Sequence, residues 1–100
     1  MDLESIYGYI AVECNGKWWV AYVNELCPGT NEVSVTFLHS HGPSSSYVFP
    51  EPQDTLVVDV SDVLIQLFPV TATGRTYILH RNDTDRANTA LEKKRMDTRK

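Results

Sequence analysis

Apolar and polar positions alternate most regularly from Glu32 to His39. There Val33, Val35 and Phe37 fall on one side of an extended chain, and Ser34, Thr36 and Leu38 on the other. That period of two predicts a strand. Ile6–Glu13 (IYGYIAVE) and Trp18–Leu26 (WWVAYVNEL) are rich in β-branched and aromatic residues and predict two more. Between them stands Cys14-Asn15-Gly16-Lys17. Asn-Gly tolerates positive φ at both positions, so it predicts a tight hairpin. Cys27–Asn31 predicts a loop, and Ser40–Ser46, holding His41, Gly42 and Pro43, a turn-rich stretch.

Shorter apolar runs follow. Tyr47–Phe49 predicts a short strand stopped by Pro50 and Pro52, and Leu56–Val60 another. Ser61–Leu64 predicts one helical turn capped by Ser61. Ile65–Phe68 resumes extended structure, Pro69–Arg75 predicts a loop, and Thr76–His80 a last strand. Five or six short antiparallel strands in about 75 residues suit a small closed barrel, which leaves no strand edge open. From Asn82 the pattern changes: apolar residues thin to Ala87, Ala90, Leu91 and Met96. Asp83 or Thr84 can cap a helix, but so thin a stripe predicts a partly helical tail outside the core.

At 100 residues and 42% hydrophobic, the chain has material for one core. Its longest uninterrupted apolar run, Trp18–Val23, is far below the about 20 residues of a membrane span. The N-terminus, Met-Asp-Leu-Glu, does not read as a secretory signal. The net charge of −4 is unevenly placed. Through residue 82, nine acids oppose Lys17, Arg75 and Arg81, a balance of −6; the remaining residues hold six bases and four acids, a balance of +2. An acidic body repels phosphate backbones and attracts basic peptides. Cys14 and Cys27 are too few for a disulfide scaffold and are expected as free thiols in a reducing compartment.

Candidate chemistry is sparse. Neighbours on a strand face opposite ways, so one of Trp18 and Trp19 is expected in the core and the other outside or at a rim. Tyr22 shares the face of Trp18. An indole left outside marks a contact surface unless the tail or a loop covers it. His39-x-His41 with Cys14 and Cys27 has donors that suit zinc, but no Cys-x-x-Cys knuckle, so no metal is expected. The two histidines are expected instead as polar rim groups beside Phe37 and Tyr47. Ser44, Ser45 and Ser46 lie near them without a nucleophile motif, the carboxylates form no acid/base pair, and no phosphate-binding glycine loop is present. An enzyme and a cofactor are therefore not expected.

Gly16–Val23 resembles the second strand of Tudor and related SH3-like barrels, Glu32–Phe37 the third, and Val60–Leu64 the short helical turn before the last strand. Phe37–Ser44 with Phe49-Pro50, and Thr73–Tyr77, are also similar to Tudor-like segments of invertebrate proteins associated with mobile elements. The resemblance spans about residues 6 to 68 and implies an SH3-like barrel. It further implies an aromatic cage for methylated lysine or arginine, in which ring faces hold the cation. Trp19 matches the cage position of the second strand and Phe37 that of the third. Val12, Ser40 or His41, and Pro43 stand where the family has its other two aromatics and an asparagine, so a full cage would draw on Trp18, His39, His41 or Tyr47.

The expected molecule is thus an all-β, Tudor-type SH3-like barrel over residues 1–81, with a basic, partly helical or disordered tail over 82–100. Its expected function is non-catalytic recognition of a basic peptide, such as a methylated histone tail, by Trp18, Trp19, Phe37, His39, His41 and Tyr47. Glu13, Asp54 and Asp62 would complement the peptide's charge, and the location would be intracellular and nuclear. One alternative is self-association, or pairing with another protein, through an exposed Trp18/Tyr22 face. Another is nucleic-acid contact by Lys93-Lys94-Arg95 and Arg99-Lys100; the opposing and favoured reading is a solvated tail, which can also fold back on the acidic body.

Overall fold

The computed structural model describes residues 2–42, 45–71 and 74–98. Readings that fall on Pro43, Ser44, Thr73, Arg99 and Lys100 lie outside the described residues. A 3-10 turn at Leu3–Ser5 leads into β1 (Tyr9–Cys14), β2 (Lys17–Cys27) and β3 (Glu32–Phe37), an antiparallel meander. Asn15 and Gly16 both have positive φ (56° and 79°) and close the first hairpin, with Cys14 opposite Lys17. The short strands β4 (His39–Ser40) and β5 (Ser46–Val48) follow, then β6 (Asp54–Asp59). A 3-10 turn at Val60–Asp62 joins β6 to β7 (Val63–Leu67), and β8 (Val70–Thr71) and β9 (Tyr77–Ile78) precede the helix α1 (Arg81–Thr98).

The strands form two antiparallel sheets: β6-β3-β2-β1-β7, and β4-β5-β9-β8. The expected closed barrel of five or six strands is therefore corrected to a mostly β fold of two sheets and a C-terminal helix. β6 and β7, the outer strands of the first sheet, are joined through the 3-10 turn and do not pair with each other.

Both faces of the five-stranded sheet are covered. One carries Ile10, Val12, Ala21, Val33, Val35, Phe37, Val58 and Val63, with Ile6 packed in. The other carries Ala11, Val20 and Leu67, against Leu38, Leu79 and Ala87. This is why β1 reads as a continuous apolar run instead of alternating. Rings of Tyr9, Tyr22, Phe49 and Tyr77 edge the second face, with Tyr9 and Tyr22 centroids 4.9 Å apart. Burial, and then the hydrogen bond to Tyr77, raise the Tyr9 hydroxyl above its ordinary value.

Several boundaries differ from expectation. Strand β1 begins at Tyr9 because Gly8 turns the chain with φ 64°. The 3-10 turn is capped by Asp59, not Ser61: the Asp59 carboxylate accepts from the Ser61 amide at 2.8 Å. Val70–Thr71, expected as loop, pairs with β9.

The largest correction concerns the tail, expected as partly helical and outside the core. It is one continuous helix docked on β7 and β2. Ala87 is fully buried and Leu91 nearly so. Polar ties supplement this thin stripe. Asp83 accepts the Phe68 amide at 2.7 Å and pairs with Arg86 at 3.0 Å. Lys94 bonds Glu13 at 2.9 Å and Asp62 at 3.1 Å, and Arg95 donates to the Gly16 carbonyl. The Lys94 hydrogen bond, then that from the Gly16 amide, hold Glu13 below the ordinary carboxylate value. Burial alone would lower Lys94; its bonds to Glu13 and Asp62 and their charges outweigh that and raise it.

Two outcomes follow from this docking. Leu91→Ala should cost about 2–3 kcal/mol of unfolding free energy, because it empties a closed site; a loss under about 0.5 kcal/mol in denaturant titration would show that α1 is not packed. The Glu13–Lys94 contribution should be constant between the ordinary values, 4.5 and 10.5. A carboxylate lowered by folding loses its contribution as pH falls below that window, and an ammonium raised by folding loses its own as pH rises above it. Stability measured at pH 7 and pH 3 should therefore differ less in Glu13→Gln than in the parent protein.

Candidate functional site

Cross-strand register builds a cleft at one end of the five-stranded sheet. Phe37, the last residue of β3, lies opposite Ala21 on β2 and Asp54 on β6. Directly paired residues share a face, so Asp54 stands beside the Phe37 ring. Trp19 precedes Ala21 by two residues and Leu56 follows Asp54 by two, so both join that face. Cys14 and His39 complete the lining of a cleft of about 240 Å3. That is below the roughly 300–1,000 Å3 of small-molecule sites and is of side-chain scale.

The cleft holds two aromatic rings and one carboxylate. Trp19 is 45% exposed, and its indole N–H donates to the Cys14 carbonyl at 3.3 Å, which fixes the ring. Phe37 is 8% exposed and forms the floor. The Asp54 Oδ2 and His39 Nε2 atoms are 2.8 Å apart, and both side chains are half exposed. Ring faces and a carboxylate around a small apolar space attract a cation of low charge density. Among the described residues no serine or cysteine side chain hydrogen bonds to His39, whose partner is Asp54.

The six residues singled out from the sequence divide. Trp19, Phe37 and His39 meet in this cleft. Trp18, Trp19, His39 and Tyr47 line an adjoining groove of about 430 Å3, which also holds Lys17. His41 is exposed and lines neither. Trp18 does not form an open patch with Tyr22: its indole donates to Asn88 of α1 at 2.7 Å, and its ring packs on the second core. Of the surrounding acids, Asp54 reaches the cleft, whereas Glu13 and Asp62 are bonded to Lys94. Lys94 and Arg95 thereby turn part of the tail's basic cluster inward onto the acidic body.

Leu56 and Cys14 were not among the expected cleft residues. The signal for Leu56 is the β3–β6 register, which sequence alternation alone does not reveal. Cys14 and Cys27 are free thiols at opposite ends of the sheet. Among the described residues no three His, Cys, Asp or Glu side chains gather to hold a metal ion. Nor, among them, is any helix long and apolar enough to cross a membrane. The chain matches no protein-family model, and no curated protein or solved structure matches it.

Proposed function

We propose that this domain is a non-catalytic recognition module that takes a methylated lysine of a basic peptide into the Trp19/Phe37 cleft. The observation that carries the reading is the convergence of the Trp19 and Phe37 rings with the Asp54 carboxylate. A methylated ammonium keeps its charge while losing hydration, so ring faces and a nearby carboxylate favour it over a fully hydrated cation. Support for a Tudor-type, SH3-like relationship, without barrel closure, comes from the β1–β2–β3 meander and the short helical turn before β7. A histone tail is a basic peptide of this kind and would imply a nuclear location.

The test is an amide-resolved NMR titration with histone-tail peptides that are unmodified, trimethylated on lysine, or methylated on arginine. Shifts at Trp19, Phe37, His39 and Asp54 with the trimethyl-lysine peptides alone are expected. Equal shifts with unmodified peptides, or none, would overturn the reading. Trp19→Ala should weaken binding by about tenfold or more while leaving the remaining amide spectrum folded, since this indole is partly outside the core. Unchanged affinity in that variant removes the cage.

A further inference from the structure

β6 is the outer strand of its sheet. It pairs with β3 on one side, and none of the described residues pairs with the other. In an antiparallel ladder alternate residues direct their amide and carbonyl away from the partner, so this edge presents a row of unused backbone groups. Natural edges are commonly blunted by a covering element, a proline or an inward charge. Here Asp54–Val57 are all exposed, Leu56 at 49% and Val57 at 50%. An adjacent apolar pair on an open edge is a template for another strand.

Charge selects the occupant. Carboxylates bracket the apolar pair at Asp54 and Asp59, the two ends of the six-residue strand. Antiparallel pairing of β6 with a second copy over its full length would set Asp54 against Asp59 at both ends, and parallel pairing would set like against like. Like charges directly opposite destabilise a ladder. Within the molecule Asp54 pairs with His39 at 2.8 Å, while at the other end Asp59 accepts the Ser61 amide and lies opposite Glu32, neither of these two having a salt bridge among the described residues. Lys94 acts on Asp59 through space but bonds Glu13 and Asp62. A basic side chain arriving at this end would meet two carboxylates, Asp59 and Glu32.

We infer that β6 accepts an extended basic segment of another protein by strand addition, with Lys or Arg opposite Asp54 and Asp59 and apolar residues opposite Leu56 and Val57. Read along the segment, this is basic–x–apolar–apolar–x–basic, and it reads alike in either chain direction. The base opposite Asp54 projects on the face of Leu56, toward the Trp19/Phe37 cleft; the base opposite Asp59 projects on the other face. The inference rests on the proposed recognition of a basic peptide, and it adds a backbone component and a second anchor outside the cleft.

The probe is the end-capped peptide Lys-Thr-Val-Val-Thr-Lys. Its companions are a form with trimethyl-lysine at one end and two forms N-methylated on alternate amides, one for each set. N-methylation keeps every side chain but removes strand-forming donors. Binding should fall at least about tenfold for one N-methylated form, and alternate amides of β6 should gain hydrogen-exchange protection on binding the parent peptide. Val57→Lys, an exposed position, should abolish binding while the protein stays folded, and Asp59→Lys should weaken it. Strand addition is overturned if both N-methylated forms bind as well as the parent, if β6 gains no protection, or if the parent peptide does not bind at about 1 mM. Sensitivity to N-methylation without preference for trimethyl-lysine would retain strand addition and remove the cage; the reverse result would retain the cage alone.

Discussion

Ile10, Ala11 and Val12 are consecutive on β1 and all fully buried, and Val20 and Ala21 repeat the pattern on β2. Successive strand residues face opposite ways, so the middle of this sheet has no water-facing side. Ile10, Val12 and Ala21 are covered within one cluster that includes Val33, Val35, Val58, Val63 and Ile6. Ala11 and Val20 have to be covered by something else, and Leu38, Leu79 and Ala87 supply it. The second sheet and α1 are thus consequences of apolar residues placed two-sided on the first two strands.

The helix meets that demand with little apolar material. Ala87 lets the helix approach closely, and Leu91 fills one site beyond it. The remaining attachment is polar and is spread along its length: Asp83 to the Phe68 amide near one end, Asn88 to the Trp18 indole in the middle, Lys94 to Glu13 and Asp62 near the other. Glu13 also accepts the Gly16 amide at 3.0 Å, so the first hairpin turn and the helix share one carboxylate. This arrangement neutralises the acidic body on the helix side. Away from the helix, Asp54 and Asp59 stand at the two ends of β6, with Glu32 of β3 opposite Asp59.

The three-strand meander was legible in the sequence because its signals are local: Asn-Gly at the turn, strict alternation in β3, and β-branched and aromatic runs in β1 and β2. The docking of α1 was not legible, because Ala87 and Leu91, the buried apolar residues among its described side chains, leave almost no stripe, and the polar ties join residues distant in sequence. Two-residue strands such as β8 carry no periodicity to read. Within the cleft, Trp19 and Phe37 were legible from their strand positions. Leu56 depended on the register between β3 and β6, which is set across a long connection that passes through the second sheet.

Trp18 and Trp19 are joined by one peptide bond yet look out on different parts of the molecule. Trp18 is tied to Asn88 beneath the helix, and Trp19 is half open beside Asp54 and His39. These are the chain's two tryptophans, so its indole fluorescence is the sum of one partly buried ring and one exposed ring. A collisional quencher reaches the second more readily than the first. Leaving only Trp18 isolates a signal from the helix side of β2, and leaving only Trp19 isolates one from the cleft. The fold thereby carries an internal pair of optical probes, one for each face of the same strand.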